Sequence, residues 1–233
     1  MLLFYQPDIT EPLHTLDKEE SGHCIRVLRM KQGDKLHLTD GKGMVCEARI
    51  ADGNPKSCVV EILHADRQQA RAPYRTHLAV APTKNISRFE WFLEKATEIG
   101  VDEITPLICE NSERRNVKTD RLNKVLISAM KQSLKAFLPL LNEPVRYDAF
   151  IQGAYPGQKF IAYISSDYSS LLRDNYQRGS SAVVLIGPEG DFTPAEVTEG
   201  TGRGFQPVSL GHSRLRTETA GVAACHTIQL IND

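Results

Sequence analysis

The sequence of 233 residues has no apolar run that approaches the roughly 20 residues a helix needs to cross a bilayer. Residues 1–7 contain no basic region, and their apolar stretch is too short for a secretory signal. We therefore expect a cytosolic protein. The composition, 41% hydrophobic and 24% charged, excludes a disordered or fibrous chain, and the length accommodates one large domain or two smaller ones.

Close pairs of metal-binding or redox side chains are also missing. The cysteines are widely scattered and the histidines form no His-x-x-x-His pair, so we expect no metal site. Isolated cysteines of this kind are usually small buried apolar residues. No Gly-x-Gly-x-x-Gly follows a predicted strand and precedes a helix, which disfavours a dinucleotide-binding Rossmann fold. The five cysteines are Cys24, Cys46, Cys58, Cys109 and Cys225.

The formal net charge of −1 argues against an indiscriminate binder of polyanions, but the charge is unevenly distributed. Residues 114–135 carry a surplus of basic side chains opposed by a single acid, Asp120. Such a surplus suits contact with phosphates, and it equally suits a solvated helix face. The basic residues are Arg114, Arg115, Lys118, Arg121, Lys124, Lys131 and Lys135.

Residues 1–70 are predicted to form a small β-rich unit. Alternating apolar and polar residues predict three strands, and Asp40-Gly41-Lys42-Gly43 between the first two is a strong hairpin turn. A helical stretch, residues 20–28, precedes them. Residues 67–73 are polar, lack periodicity and end in proline, so they are the best candidate for a linker. The predicted strands are Lys35–Thr39, Val45–Ile50 and Ser57–Leu63.

After residue 73, predicted strands and helices alternate, which implies a mostly parallel sheet covered on both faces. Strands are predicted at His77–Ala81, Glu103–Cys109, Lys159–Ile164 and Ala182–Ile186. Helices are predicted at Arg88–Ile99, Asp120–Leu134 and Thr217–Leu230, and a further helix opens at Thr193 with a proline in its first position.

Two glycine-anchored segments near the C-terminus carry the functional prediction. The apolar run 182–186 continues into Gly187-Pro188-Glu189-Gly190, and the segment 208–211 ends in Gly211, a few residues before Leu215-Arg216-Thr217-Glu218-Thr219-Ala220. Each resembles a buried strand that ends in a loop whose backbone can approach a ligand closely. Two such loops predict one composite small-molecule pocket, and hence an enzyme.

These segments, with two others, resemble the bacterial 16S rRNA uracil-N3 methyltransferase family (RsmE type) of the SPOUT superfamily of knotted methyltransferases. The resemblance covers nearly the whole chain. It rests on residues 23–30 with Gly33-Asp34, on residues 84–100, on Gly187–Phe192, and on Leu210-Gly211 with the segment 215–220. Four ordered motifs at plausible spacing are far more specific than any one of them.

The resemblance implies an α/β fold in two domains: a PUA-like β-barrel that helps to hold RNA (residues 1–70) and a SPOUT domain with a deep trefoil knot (residues 73–233). It also implies a homodimer, with S-adenosylmethionine held in the knot loops, that methylates N3 of one uridine in 16S rRNA of the small ribosomal subunit. Two alternatives stay open. One is a SPOUT enzyme with another target, such as tRNA or a ribose hydroxyl, and the other is a non-catalytic RNA-binding assembly factor.

Within this family reading, Arg216 is the first candidate to stabilise the uracil anion that forms when the N3 proton leaves. An ion pair with Glu218 or Glu189 that only braces the loop is its structural alternative. Glu218 is a candidate base, although capping and the helix dipole explain an acid at a helix start equally well. Glu189 is a further catalytic candidate or an acceptor that orders its loop.

The remaining site predictions concern the cofactor and the RNA. Residues 131–135 and Asp191 depart from the family pattern. Lys135 stands where the family more often has an arginine, and it keeps the positive charge but lacks the planar guanidinium group that can form two parallel hydrogen bonds. The expected cofactor contacts are Leu185, Ile186, Gly187, Gly190, Leu210, Gly211, Ser213 and Leu215. The expected RNA contacts, mainly to phosphates, are Arg26, Arg29, Arg114, Arg115, Lys131 and Lys135.

Overall fold

The computed structural model describes residues 2–67, 72–163 and 170–233. Most of the predicted linker and Ile164, the predicted end of a strand, lie outside these ranges. The chain divides into two compact units. The first consists of Met1–Arg71 with Ile127–Leu138, and the second of Ala72–Leu126 with Pro139–Asp233.

The first unit contains a five-stranded sheet in the order β1-β3-β4-β5-β2. Strands β3 and β4 form the predicted antiparallel hairpin, while β1 pairs with β3 in parallel. Strands β1 and β2 were not predicted, because three residues are too few to show alternation. The strands are β1 (Leu3–Tyr5), β2 (Leu13–Thr15), β3 (Lys35–Thr39), β4 (Met44–Asp52) and β5 (Val59–Arg67).

The helical stretch expected at residues 20–28 is present in two parts. Helix α1 spans Lys18–Gly22 and is capped by Asp17, whose side chain accepts from the Glu20 N–H. A π-helical turn, His23–Val27, follows directly. All five cysteines of the chain are free and buried, as expected of small apolar residues, and three of them belong to the core of this unit.

The second unit contains a seven-stranded sheet in the order β12-β10-β11-β6-β7-β8, with β9 also paired to β7. Every pairing in it is parallel, which confirms the prediction from alternating strands and helices. All five residues of β6 and of β11 are buried, so both faces of the sheet centre are covered. The strands are β6 (Thr76–Val80), β7 (Glu103–Ile108), β8 (Leu140–Leu141), β9 (Val145–Arg146), β10 (Gln158–Ala162), β11 (Ala182–Ile186) and β12 (Gln206–Val208).

Helices α2 and α7 pack against each other beside this sheet. A Cβ on Gly221 of α7 would lie 2.6 Å from the Phe92 ring of α2, so only glycine permits this close approach. The predicted helix at Thr193 is present and has a complete capping box with Glu196. The helices are α2 (Ile86–Ile99), α3 (Thr119–Gln132), α4 (Tyr147–Phe150), α5 (Leu172–Asn175), α6 (Pro194–Gly202) and α7 (Thr217–Asn232).

Candidate functional site

A cavity of about 310 Å³ opens at the carboxyl edge of the parallel sheet in the second unit. Its wall is formed by the ends of β10, β11 and β12, by the loops that follow β11 and β12, and by the first turn of α7. Because β10 lies between β11 and β12 and all three run in parallel, their following loops meet at one edge. The two glycine-anchored segments thus contribute to one cavity, as the composite-pocket prediction requires.

Six of the eight expected cofactor contacts line this cavity, and two do not. Leu185 belongs to the apolar core beneath it, because its side chain lies within the fully buried strand β11. Gly190 lies against Asn111 instead, whose amide donates to the Gly190 carbonyl. The six that line the cavity are Ile186, Gly187, Leu210, Gly211, Ser213 and Leu215.

Backbone conformation and close packing explain why glycine is present at two positions of these loops. Gly211 has a φ of 146°, a conformation that side chains rarely adopt. A Cβ on Gly187 would lie 3.1 Å from the Phe192 ring and from its backbone nitrogen, so the turn after β11 closes tightly on itself. Asp191 has a positive φ of 63°, which aspartate tolerates, and its carboxylate accepts from the Phe192 N–H at 2.8 Å.

Hydrogen bonds join the loop after β11 to the loops that follow β6 and β7. The Lys84 N–H donates to Oε1 of Glu189 at 2.9 Å, and the Asn111 amide donates to the carbonyls of Gly190 and Asp191. Glu189 also lines the cavity. This geometry favours a loop-ordering role for Glu189. Lys84 and Asn111 were not expected to hold this loop, although both follow parallel strands whose carboxyl ends share the edge.

Arg216 is the N-cap residue of α7, and its exposed side chain lines the cavity. The two acids considered as its partners contact other groups: Glu189 accepts from the Lys84 backbone, and Glu218 lies 4.0 Å from Nε of Arg88. The guanidinium is therefore available to a group bound in the cavity. A cation at this place can stabilise negative charge that develops on a substrate.

Glu218 lies on a different side of α7 and does not line this cavity. It contributes instead to a second cavity of about 270 Å³, together with Ser87, Arg88, Trp91 and Thr219. Glu218 is only 7% exposed. The structure therefore brings Arg216 and Glu189 to one cavity and leaves Glu218 at another.

The expected RNA contacts fall into exposed and internally bonded groups. Arg26 and Arg29 are exposed in the first unit. Lys131 is ion-paired with the buried Glu20 and lies 5.6 Å from the centre of the Phe4 ring. This pair favours a structural role for Lys131. Lys135 is half-buried in the same unit.

The two arginines of the second unit that were expected to contact RNA also bond internally. Arg114 donates to the carbonyls of Thr83 and Lys84, and Arg115 donates to the carbonyl of Glu110. Arg114 is half-buried and Arg115 is exposed. These contacts stiffen the loops at the same edge of the sheet.

Two further observations concern metal sites and membrane-spanning helices. Within the described ranges, no group of three or more His, Cys, Asp or Glu residues is arranged to hold a metal ion. No helix in the same part of the chain is long and apolar enough to span a membrane.

Comparison with known families matches both units of the chain. Residues 70–229 match the model of an RNA methyltransferase domain, and residues 16–63 match that of an RNA methyltransferase PUA domain. Together the two models cover most of the chain, and the methyltransferase model also spans residues 127–138, which belong to the first unit.

Three relatives resemble nearly the whole chain. A probable rRNA-methyltransferase from Porphyromonas gingivalis is 45% identical with a TM-score of 0.90, and the match covers 99% of both chains. The Neisseria gonorrhoeae Ribosomal RNA small subunit methyltransferase E, bound to S-adenosyl methionine, is 30% identical with a TM-score of 0.89 and covers 100% of this chain and 98% of its own. The Aquifex aeolicus protein of the same name is 29% identical over 230 residues and 96% of each chain.

Proposed function

We propose, from the premise that the chain belongs to the RNA methyltransferase family whose model matches residues 70–229, that it methylates ribosomal RNA. It transfers the methyl group of S-adenosylmethionine to N3 of one uridine in the 16S rRNA of the small subunit. The observation that carries this proposal is the cavity of about 310 Å³ at the carboxyl edge of the sheet, in a chain similar over its whole length to a methyltransferase with that cofactor bound.

The residues of the cavity suit the cofactor. The volume lies in the range of about 300–1,000 Å³ usual for small-molecule sites. Ile186, Leu210 and Leu215 offer apolar surface to an adenine ring, and the loop at Gly211 brings backbone groups to the cavity wall. The carboxylate of Asp191, which also lines the wall, complements the positive charges of the sulfonium and the ammonium group.

When bound, the cofactor supplies an activated methyl group for an in-line displacement. The protein's part is positioning and electrostatic stabilisation. Arg216 stabilises the uracil anion by donating to a carbonyl that flanks N3, and water takes up the N3 proton. Glu189 holds the loop after β11 in place through its bond to the Lys84 N–H. Glu218 is enclosed beside α2 and does not line this cavity, so it is not the proton acceptor.

The architecture implied by the family completes the proposal. Residues 1–70 form a PUA-like barrel that holds RNA through Arg26 and Arg29, and residues 73–233 form the methyltransferase domain with its trefoil knot. The match of residues 16–63 to a PUA model supports the first assignment. The active species is a homodimer, and it works in the cytoplasm, where the small ribosomal subunit is found.

Methyl transfer to isolated subunits tests the proposal. The purified chain is incubated with labelled S-adenosylmethionine and small subunits from a strain that lacks this modification. We expect label in 16S rRNA, and we expect the same RNA from a strain that carries the modification to accept none. Cofactor binding without label in any RNA would contradict the proposal and favour a non-catalytic RNA-binding protein.

A further inference from the structure

One peptide group at the carboxyl edge of the parallel sheet is hydrogen-bonded at both ends. The peptide between Thr83 and Lys84 lies in the loop after β6, and its N–H donates to Oε1 of Glu189 at 2.9 Å. Its carbonyl, that of Thr83, accepts from Nε of Arg114 at 3.1 Å. Because a peptide group is planar, the direction of the carbonyl fixes the direction of the N–H. Arg114 and Glu189 are therefore joined through one rigid group.

The guanidinium of Arg114 also binds the next carbonyl of this loop. Its Nη2 donates to the carbonyl of Lys84 at 2.7 Å, so one planar side chain holds two successive carbonyls. Hydrogen bonds from a charged donor are shorter and stronger than neutral ones, and the fixed fork of a guanidinium adds direction. A lysine ammonium, a point charge on a flexible stem, does not reproduce this geometry. The two bonds therefore fix the orientation of the peptide that carries the Lys84 N–H.

Arg114 reaches this loop from a segment outside the cavity wall. It is half-buried in the loop after β7 and does not line the cavity, whereas Glu189 does. The adjacent Glu113 pairs with Nζ of Lys84 at 2.8 Å, but both side chains are more than half exposed, so this ion pair contributes little. The guanidinium of Arg114 therefore holds the loop after β6 more firmly than the ion pair does.

We propose that Arg114 is a positioning residue of the cofactor cavity. It orients the peptide between Thr83 and Lys84, and this peptide holds Glu189. Glu189 in turn keeps the loop after β11 in the shape that binds S-adenosylmethionine. The sequence suggested instead that Arg114 contacts an RNA phosphate, and the two roles predict different measurements. The proposal rests on the proposed function only in taking S-adenosylmethionine as the ligand.

Hydrogen exchange of the cofactor-free protein, followed by NMR, tests the first step. The Lys84 amide is protected from exchange while it donates to Glu189. Arg114→Ala releases the peptide, and we expect this amide to exchange at least about fivefold faster, as the loss of about one hydrogen bond implies. Lys118→Ala removes a positive charge from an exposed side chain of the same loop and is the matched control, which should leave the exchange of Lys84 unchanged.

Calorimetric titration with S-adenosylmethionine tests the second step. Arg114→Ala and Glu189→Ala should each raise the Kd about fivefold, and the double variant should also be about fivefold weaker, since both substitutions break the same connection. Residues that act independently would give about a twenty-fivefold rise. Arg114→Lys, which is the milder change if Arg114→Ala does not fold, should raise the Kd about twofold in the parent and have no further effect in the Glu189→Ala background.

Two results would overturn the proposal. The first is a double variant whose Kd rises by the product of the two single effects. The second is an unchanged Kd for Arg114→Ala. A smaller slope of RNA affinity against salt concentration on logarithmic axes, in that same protein, would then identify a phosphate contact instead. A parent chain that binds no S-adenosylmethionine would contradict the proposed function, whereas faster exchange of the Lys84 amide in Arg114→Ala would still support the link between Arg114 and Glu189.

Discussion

The backbone N–H of Lys84 donates a hydrogen bond to Oε1 of Glu189 at 2.9 Å and thereby joins the loop after β6 to the loop after β11. The second of these loops carries Gly187, and both Gly187 and Glu189 line the candidate cofactor cavity. The shape of the cavity therefore depends on a bond formed by a residue more than a hundred positions earlier in the chain.

The role of Glu189 is tested by two substitutions. Glu189→Ala removes the acceptor, and we expect the Kd for S-adenosylmethionine to rise about fivefold, equivalent to about 1 kcal/mol for one hydrogen bond. Glu189→Gln retains an acceptor oxygen and should bind the cofactor within about twofold of the parent. Calorimetric titration measures both. A Glu189→Gln protein with normal cofactor binding but a kcat reduced a hundredfold would show that Glu189 takes the proton.

Arg216 is expected to act on the transition state and not on cofactor binding. Arg216→Ala should lower kcat for methyl transfer by about 10²–10³, the usual effect of removing a donor to a developing anion. Arg216→Lys keeps the charge but loses the planar fork, so a smaller loss is expected. The Kd for S-adenosylmethionine, measured on the same proteins, should change little. A normal kcat for Arg216→Ala would contradict the assigned role.

Lys131 is predicted to stabilise the first unit. The side chains of Lys131 and Glu20 are only 19% and 10% exposed. Lys131→Ala leaves the Glu20 carboxylate buried without its cation, and we expect the free energy of unfolding to fall by about 3 kcal/mol. Lys124→Ala, on the exposed part of the same helix, should change it by less than about 0.5 kcal/mol. Urea unfolding compares the two.

RNA-binding measurements test the alternative role of Lys131, a contact with an RNA phosphate. RNA affinity falls as the salt concentration rises, and the slope of this decline on logarithmic axes reports the number of phosphate contacts. If Lys131 contacts a phosphate, Lys131→Ala will reduce that slope by about one. We expect an unchanged salt dependence for Lys131→Ala. A reduced dependence for this variant, with normal stability, would restore the phosphate-binding role that the sequence suggested.

His77 makes the stability of the second unit dependent on pH. Burial lowers the pKa of His77 below its ordinary value of 6.5, although nearby Glu103 opposes the shift. Its Nε2 lies 2.8 Å from Oγ1 of Thr105. The unfolded chain therefore binds the proton more readily, so this stability is fully present above pH 6.5 and is lost as the pH falls from 6.5 towards the folded pKa.

The measurement is the free energy of unfolding in urea at several pH values above and below 6.5. His77→Gln should flatten the acid-side decline, by at most about 1.4 kcal/mol per pH unit. His226→Gln, on the exposed side of α7, is the control and should leave the profile unchanged. Identical profiles for the parent and His77→Gln would contradict the prediction.

Local patterns of sequence account for much of the second unit and for part of the site. The apolar run 182–186 predicts β11 to the residue, and the turn at residues 40–43 predicts the β3–β4 hairpin, because both depend on neighbours in the chain. Strand β1 was not predicted, because its three residues form a strand only by pairing with β3, which lies more than thirty positions later in the chain.

The roles of charged residues depend on more distant partners. The sequence shows that Lys131 is positive but not that Glu20, 111 positions away, is buried beside it. Arg216 and Glu218 are two positions apart, yet a helix turns about 100° per residue, so their side chains face different cavities. Periodicity alone does not tell which face of α7 meets α2.

The identity of the methylated nucleoside tests the central claim most directly. After reaction with labelled S-adenosylmethionine, the 16S rRNA of the small subunit is digested to nucleosides and analysed by mass spectrometry. We predict that the label appears as 3-methyluridine from a single position. Label in a ribose-methylated nucleoside, or in another base, would contradict the assignment of N3 of uridine as the acceptor.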